Sequence, residues 1–211
     1  MSDGSKKDIL SDVAGYYSGK LAAHGETPRG VDWNSEEGQK NRFRQLLKII
    51  DISRPVSIND LGCGYGALYE FMKSDFEIAS YTGCDVSEKM IEAARARQSA
   101  PEAHFVVSSE PPGIADYGIA SGIFNVSLGH TKEAWGKYLE DTLEVLDRTS
   151  RLGFAFNCLT SYSDREFMRE DLYYADPVAL FDLCKRRFAR NVALLHDYDL
   201  YEFTILVRKQ P

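Results

Sequence analysis

The stretch Ile58-Asn59-Asp60-Leu61-Gly62-Cys63-Gly64-Tyr65-Gly66 decides the fold of this 211-residue chain. It completes a short apolar run, 56–61, of the kind that forms a buried strand, and it leads into Leu68, Phe71 and Met72 at helical spacing. Glycines let the backbone turn tightly and leave no Cβ between the chain and a ligand. The stretch therefore predicts a strand, a glycine-rich turn and a helix, with a ligand at the carboxyl end of the strand.

Strand and helix patterns alternate after this turn. Further strands are predicted at 78–84, 104–107, 117–126 and 152–158, with helices that begin after Ser87 and Thr131. Such alternation indicates a parallel sheet with helices on both faces. The last two strands, 191–195 and 200–207, are joined by only His196-Asp197-Tyr198-Asp199, which is too short for a crossover helix, so they must form an antiparallel hairpin. We predict an α/β fold whose seven-stranded, mostly parallel sheet contains one antiparallel strand.

The glycine spacing by itself fits two kinds of cofactor. The pattern Gly62-x-Gly64-x-x-Ala67 satisfies a relaxed nicotinamide-cofactor fingerprint, so an NAD-dependent oxidoreductase is one interpretation. S-adenosylmethionine (SAM) is favoured by Asp60, whose carboxylate could meet the methionine ammonium, and by the reversed strand near the end of the chain. Asp85 ends the second predicted strand, where an acid can accept hydrogen bonds from both ribose hydroxyls.

Two segments carry a resemblance to a known family. INDLGCGYG at 58–66 and YTGCDVSEKMIEAA at 81–94 resemble the first two motifs of class I SAM-dependent methyltransferases, and the resemblance covers roughly residues 40–208. It implies SAM as cofactor, with its methionine part held by Asp60 and by the turn residues Gly62, Cys63, Gly64 and Gly66. It also implies that Asp85 binds the ribose, that Val86 and Met90 pack on the adenine, and that Asn125 lies near the sulfonium. The family's acid after the third strand is missing, so Ser108, Ser109 or Glu110 would replace it.

Residues that contact the methyl acceptor are predicted in three places. His130 and His196 follow strands that open on the ligand face and could act as general bases, since the unperturbed pKa of histidine lies near neutrality. Alternatively, His130 only leads into the helix after Thr131, and His196 only hydrogen-bonds within the hairpin turn. Residues 1–34 are predicted to form a lid over a methyltransferase domain at 35–211. Substrate contacts, or plain packing, are expected from Tyr16, Tyr17, Trp33, Tyr173 and Tyr174.

The composition of the chain disfavours several classes of binding partner. A net charge of −7 disfavours nucleic acid and anionic membranes, and the four cysteines lack the spacing of a metal site. With neither a signal peptide nor a long apolar run, we expect a cytoplasmic monomer or homodimer. The sequence predicts a SAM-dependent methyltransferase that acts on an oxygen or nitrogen of a small molecule. A protein methyltransferase and a non-catalytic SAM-binding partner protein are the alternatives.

Overall fold

The structure is a computed structural model that describes residues 3–209. Its helices are α1 (Asp3–His24), α2 (Glu36–Leu47), α3 (Ala67–Met72), α4 (Glu88–Arg97), α5 (Lys132–Arg148) and α6 (Pro177–Arg187). Its strands are β1 (Val56–Leu61), β2 (Ile78–Asp85), β3 (Ala103–Val107), β4 (Ala115–Ala120), β5 (Ser150–Thr160), β6 (Tyr174–Ala175), β7 (Asn191–Leu195) and β8 (Glu202–Arg208). Short 3-10 turns occupy Pro28–Val31 and Arg165–Phe167.

The sheet has the mostly parallel arrangement that the sequence predicts. The strand order is β3-β2-β1-β4-β5-β8-β7, and β8 runs antiparallel to both of its neighbours. The prediction of one reversed strand in an α/β fold is confirmed. The two-residue strand β6 pairs in parallel with the last two residues of β5, Leu159 and Thr160. It raises the number of strands from the predicted seven to eight. Because strand order reverses between β1 and β4, a crevice opens at the carboxyl ends of these two strands.

The fourth strand is shorter than predicted. It ends at Ala120, whereas the apolar pattern suggested 117–126. Gly122 has a φ of 75°, and its backbone N–H donates to the side chain of Asn157 rather than to a neighbouring strand. The chain therefore leaves the sheet two residues after Ala120, and Asn125 lies in the following loop.

Several helices begin at a side-chain cap, and two of these caps were predicted. The Ser87 and Thr131 side chains accept hydrogen bonds from the backbone N–H groups of Met90 and Ala134, so these predicted caps are confirmed. In α2 the cap is Ser35, whose side chain accepts a hydrogen bond from the Gly38 N–H. Such caps each stabilise a helix by about 1 kcal/mol.

The N-terminal helix α1 packs onto the same core as the sheet. Ile9 is fully buried in a cluster with Trp135 and Leu139 of α5, and Leu10 and Val13 lie against that cluster. Burial of such side chains stabilises the fold by about 1.5–3 kcal/mol each. The opposite face of the sheet is covered by α2, α3 and α4. Of the predicted lid at 1–34, residues 1 and 2 lie outside the described residues.

Candidate active site

The glycine-rich turn forms a tight cradle at the end of β1. The backbone N–H groups of Gly62 and Cys63 both donate to the carbonyl of Cys84 at the end of β2, at 2.7 and 3.0 Å. Gly62 has a φ of 76°, and a Cβ at this position would lie 2.1 Å from Cγ2 of Ile123. Only glycine fits here, because both the backbone conformation and the space exclude a side chain.

Asp85 lies directly beside this turn. Its Oδ2 accepts the Gly64 N–H at 3.0 Å, and its Oδ1 accepts the Ser87 N–H at 2.9 Å. Burial raises the pKa of the Asp85 carboxyl, and the backbone N–H donors partly oppose that rise. These bonds fix the orientation of the carboxylate at the edge of the cleft described next.

A cleft of about 790 Å³, here named the cofactor cleft, lies over the turn. Seven residues predicted to bind the cofactor line it: Gly62, Gly64, Asp85, Val86, Met90, Ser108 and Ser109. Ser108 donates to the Glu110 carbonyl at 2.6 Å, whereas the Glu110 carboxylate pairs with Lys6 and Arg148. Ser108 and Ser109 line the cofactor cleft and Glu110 does not, and that either serine replaces the missing acid stays a prediction.

The sequence prediction missed one wall of the cofactor cleft. Leu10 and Val13 of α1 line it together with Tyr138, Thr142 and Val145 of α5. The sequence shows the apolar stripe of α5. The same sequence pattern arises whether such a stripe only packs in the core or also borders a ligand. Ser121 was also missed; its Oγ is buried without a hydrogen-bond partner among residues 3–209.

Asp60 and Cys63 line a recess of about 340 Å³ that shares Gly62 and Gly64 with the cofactor cleft. The Tyr81 hydroxyl donates to Asp60. Burial raises the pKa of Asp60 to about 7, and the charge of Asp85 adds to the rise. Gly66 borders neither cavity; it begins α3 and packs against the ring of Phe105.

A second cavity of about 1150 Å³, here named the acceptor cleft, adjoins the cofactor cleft. Three residues line both cavities: Tyr17, Val31 and Trp33. Tyr174 also lines the acceptor cleft, as predicted for a substrate contact. Asn125 lines this cavity and not the cofactor cleft, because β4 ends early. That Asn125 lies near the sulfonium stays a prediction.

The other two tyrosines predicted to contact substrate do not line the acceptor cleft. The Tyr16 hydroxyl donates to Asp32 Oδ2 at 2.8 Å and so holds the end of the Pro28–Val31 turn. Tyr173 is half-buried against the core beside α5. Burial raises the pKa of Tyr17, the tyrosine at the junction of the two clefts, and the nearby Asp32 charge raises it further.

A buried polar network holds Trp33 at this junction. The Arg42 guanidinium lies 3.9 Å from the Trp33 ring centroid and forms two-pronged hydrogen bonds of 2.6 to 2.9 Å with the Glu202 carboxylate. Glu202 in turn accepts from Asn157, which accepts from the Gly122 N–H. The indole lies against Gly122, where a Cβ would be 2.2 Å from Trp33 Cζ2. The ring is therefore clamped between a cation and the backbone.

Neither predicted histidine lines the cofactor or the acceptor cleft. His130 Nε2 lies 3.0 Å from Asp12 Oδ2 of α1, and its ring stacks on Trp135. His196 is exposed, with its ring near Tyr162 and Phe203. The general-base role of both residues stays a prediction, and their placement does not support it.

Comparison with known proteins gives this geometry a context. A family model described as a methyltransferase domain matches residues 58–148. The chain is 55% identical over 164 residues to a Mycobacterium tuberculosis (strain ATCC 25618 / H37Rv) protein named as a methyltransferase, Rv1506c, and the match spans 77% of this chain and 99% of that protein. The chain belongs to the class I SAM-dependent methyltransferases. The family resemblance of the two motifs is thus confirmed, and the oxidoreductase interpretation of the glycine turn is set aside.

More distant relatives agree with the fold. Trans-aconitate 2-methyltransferase of Rhodopseudomonas palustris (strain HaA2) is 33% identical over 111 residues, which cover 48% of this chain and 43% of that enzyme. The structure of the DhpI–SAH complex aligns over all of both chains with a TM-score of 0.63 at 14% identity. Human N-acetylserotonin methyltransferase aligns over all of this chain and 68% of its own length, with a TM-score of 0.60 at 16% identity.

The cofactor of this family is SAM, and the methyltransferase has residues suited to each part of it. The glycine cradle leaves room beside Asp85, whose carboxylate suits a ribose diol. The apolar side chains of Val86 and Met90 suit an adenine ring, and the buried Asp60 suits an ammonium group. Within residues 3–209, no helix is both long enough and apolar enough to span a bilayer.

Proposed function

We propose that this methyltransferase methylates an oxygen or nitrogen atom of a small molecule. The observation that carries the proposal is the junction of the two clefts at Tyr17, Val31 and Trp33. A cavity that adjoins the cofactor cleft and has walls formed by several chain segments suits a compact ligand. SAM, when bound, supplies an electrophilic methyl group.

The protein's own residues contribute orientation and exclusion of water. The clamped Trp33 and the half-buried Tyr17 form the walls of the junction, and Asn125 and Tyr174 border the space for the acceptor. Holding two reactants in a fixed geometry can lower the barrier by about 7–11 kcal/mol, so methyl transfer does not require a strong general base. Neither His130 nor His196 borders this space.

The proposal is tested by giving the purified enzyme methyl-labelled SAM together with either the small-molecule filtrate or the macromolecular fraction of a cell extract. We expect label in small molecules of the filtrate and S-adenosylhomocysteine as the second product. The Asp85→Asn variant serves as the control that should lose the labelling. Label confined to proteins would instead establish a protein methyltransferase. Binding of SAM without labelling of either fraction would establish a non-catalytic SAM-binding partner protein.

A further inference from the structure

The acceptor cleft is lined by compensated charges. Asp32 pairs with Lys20 at 2.5 Å, and Arg42 pairs with Glu202 at 2.6 Å. Arg169, the remaining charged residue of the lining, pairs with an aspartate two residues along the chain, at 2.5 Å. Each charge thus has a partner before any ligand enters. A charged ligand would lose its hydration without gaining an unpaired counter-charge, which is unfavourable.

The rest of the lining is mainly apolar and aromatic. Val126, Leu159 and Leu172 form part of the wall. At the surface, Phe167 and Tyr201 are 60% and 45% exposed, and their ring centroids lie 6.0 Å apart. Exposed apolar side chains grouped beside a cavity are a feature of ligand-binding surfaces. Two aromatic rings there can contact the planar or apolar body of a ligand.

One polar group in the wall lacks a partner. Asn125 is 4% exposed; its Oδ1 accepts the Leu159 N–H at 3.0 Å, which identifies the other side-chain atom as Nδ2. That Nδ2 is buried and has no hydrogen-bond partner among residues 3–209. A buried donor without an acceptor is unfavourable, so a ligand oxygen that reaches it is favoured.

From these three observations we propose the chemical class of the molecule that receives the methyl group. It is an uncharged, aromatic or otherwise apolar small molecule, and one of its oxygens accepts a hydrogen bond from Asn125 Nδ2. The inference rests on the proposed function, since it concerns the ligand of the same cleft. The compensated charges disfavour ionic ligands, and the pair of aromatic rings favours a ligand with a ring or an apolar body. The amide nitrogen without a partner favours a ligand whose oxygen can accept its hydrogen bond.

The test compares three probes of nearly equal shape on the enzyme saturated with S-adenosylhomocysteine. They are 2-acetylnaphthalene, which is neutral, 2-naphthoate, which is an anion, and 2-naphthamidine, which is a cation. Calorimetry should show the ketone binding at least about tenfold more tightly than either ion, a factor equal to about 1.4 kcal/mol. Equal or tighter binding of an ion, or no binding of the ketone, overturns the inference. That outcome leaves the labelling experiment, and with it the proposed function, unaffected.

Three variants locate the binding. Asn125→Asp keeps the acceptor for the Leu159 N–H and replaces the free donor by an oxygen, so ketone affinity should fall at least about tenfold, by loss of a hydrogen bond and gain of a repulsion. Phe167→Ala should weaken the ketone several-fold. Val178→Ala is the control, since Val178 is 59% exposed on α6 and borders neither cleft. Unchanged ketone affinity in both Asn125→Asp and Phe167→Ala would contradict the assigned site.

Discussion

The ion pair between Arg42 and Glu202 gives the sharpest prediction about how the site is held. The two side chains are 11% and 1% exposed, so both charges are largely removed from water. Glu202→Gln keeps the shape of the side chain but removes its charge and one of its two acceptor oxygens. In either orientation of the glutamine amide, its NH₂ group would face an N–H donor of Arg42 where the carboxylate now accepts.

The burial of both side chains determines how much stability Glu202→Gln should lose. Breaking a buried pair by changing one partner costs about 3–5 kcal/mol, because the other charge stays buried without compensation. Arg42 retains some contact with solvent, and glutamine keeps one acceptor. We therefore expect a loss of about 3 kcal/mol in the free energy of unfolding, at the lower end of that range.

Urea unfolding of the two proteins measures this difference, provided that the slope of the transition is unchanged. Glu140→Gln is the matched control, because Glu140 pairs with Arg187 at 3.0 Å where both side chains are about 40% exposed. Exposed pairs contribute about 0–1 kcal/mol, so this control should change stability little. If Glu202→Gln costs no more than Glu140→Gln, the reasoning is refuted.

A second measurement reports on the clamp itself. The chain has two tryptophans, and Trp135 is fully buried in the core. The emission of Trp33, obtained by subtracting the spectrum of Trp33→Phe, should shift to longer wavelength in folded Glu202→Gln, because Arg42 no longer holds the indole over Gly122. An unchanged spectrum in the folded variant would show that the ion pair does not position Trp33.

Three further predictions concern the cofactor side. Gly62→Ala should abolish S-adenosylhomocysteine binding, as measured by calorimetry, because the new Cβ would lie 2.1 Å from Ile123; Gly113→Ala, where nothing lies within 4 Å, should bind normally. Asp85→Ala should weaken binding by about 1–3 kcal/mol, the scale of a charged hydrogen bond, and an unchanged affinity would contradict the ribose role. Asp60 gives a pH dependence: its folded pKa of about 7 lies above the ordinary value of 3.8, so the native state holds a proton that the unfolded chain releases. The contribution of Asp60 to the free energy of unfolding should therefore be fully present below pH 3.8, decline as the pH rises to about 7, and stay constant above that. Urea unfolding across this pH range should show the decline in the native protein and not in Asp60→Asn. Binding of S-adenosylhomocysteine should tighten over the same interval as Asp60 ionises to meet the ammonium, and equal affinities at its two ends would count against that contact.

Local features were predictable because local chemistry determines them. The turn at Gly62 needs a positive φ and no Cβ, and glycine is the residue type that meets both requirements. The caps at Ser87 and Thr131 depend on one side chain and the backbone three residues later. The reversed strand follows from a connection too short for a helix, and the place of Asp85 follows from the neighbouring carboxyl ends of parallel strands.

Interactions that lie far away in sequence made the predicted end of β4 wrong and leave the general-base role of the histidines a prediction. The apolar pattern at 117–126 continues past the true end of β4, because the chain is drawn out of the sheet by the bond from Gly122 to Asn157, 35 residues later. Asn125 consequently borders the acceptor cleft instead of the cofactor cleft. The two histidines follow strands at the expected edge, yet His130 is held against Asp12 of α1 and His196 points to solvent.

The sequence by itself determined the sheet, the glycine cradle and the acid beside it, since each depends on residues within one strand–turn–helix unit or on strand direction. Only the tertiary structure decided the acceptor cleft. Arg42 and Glu202 are 160 residues apart and meet because α2 packs over β5 and β8. Whether the charges of Arg42 and Glu202 are compensated depends on this distant contact, and hydrophobic periodicity carries no information about it.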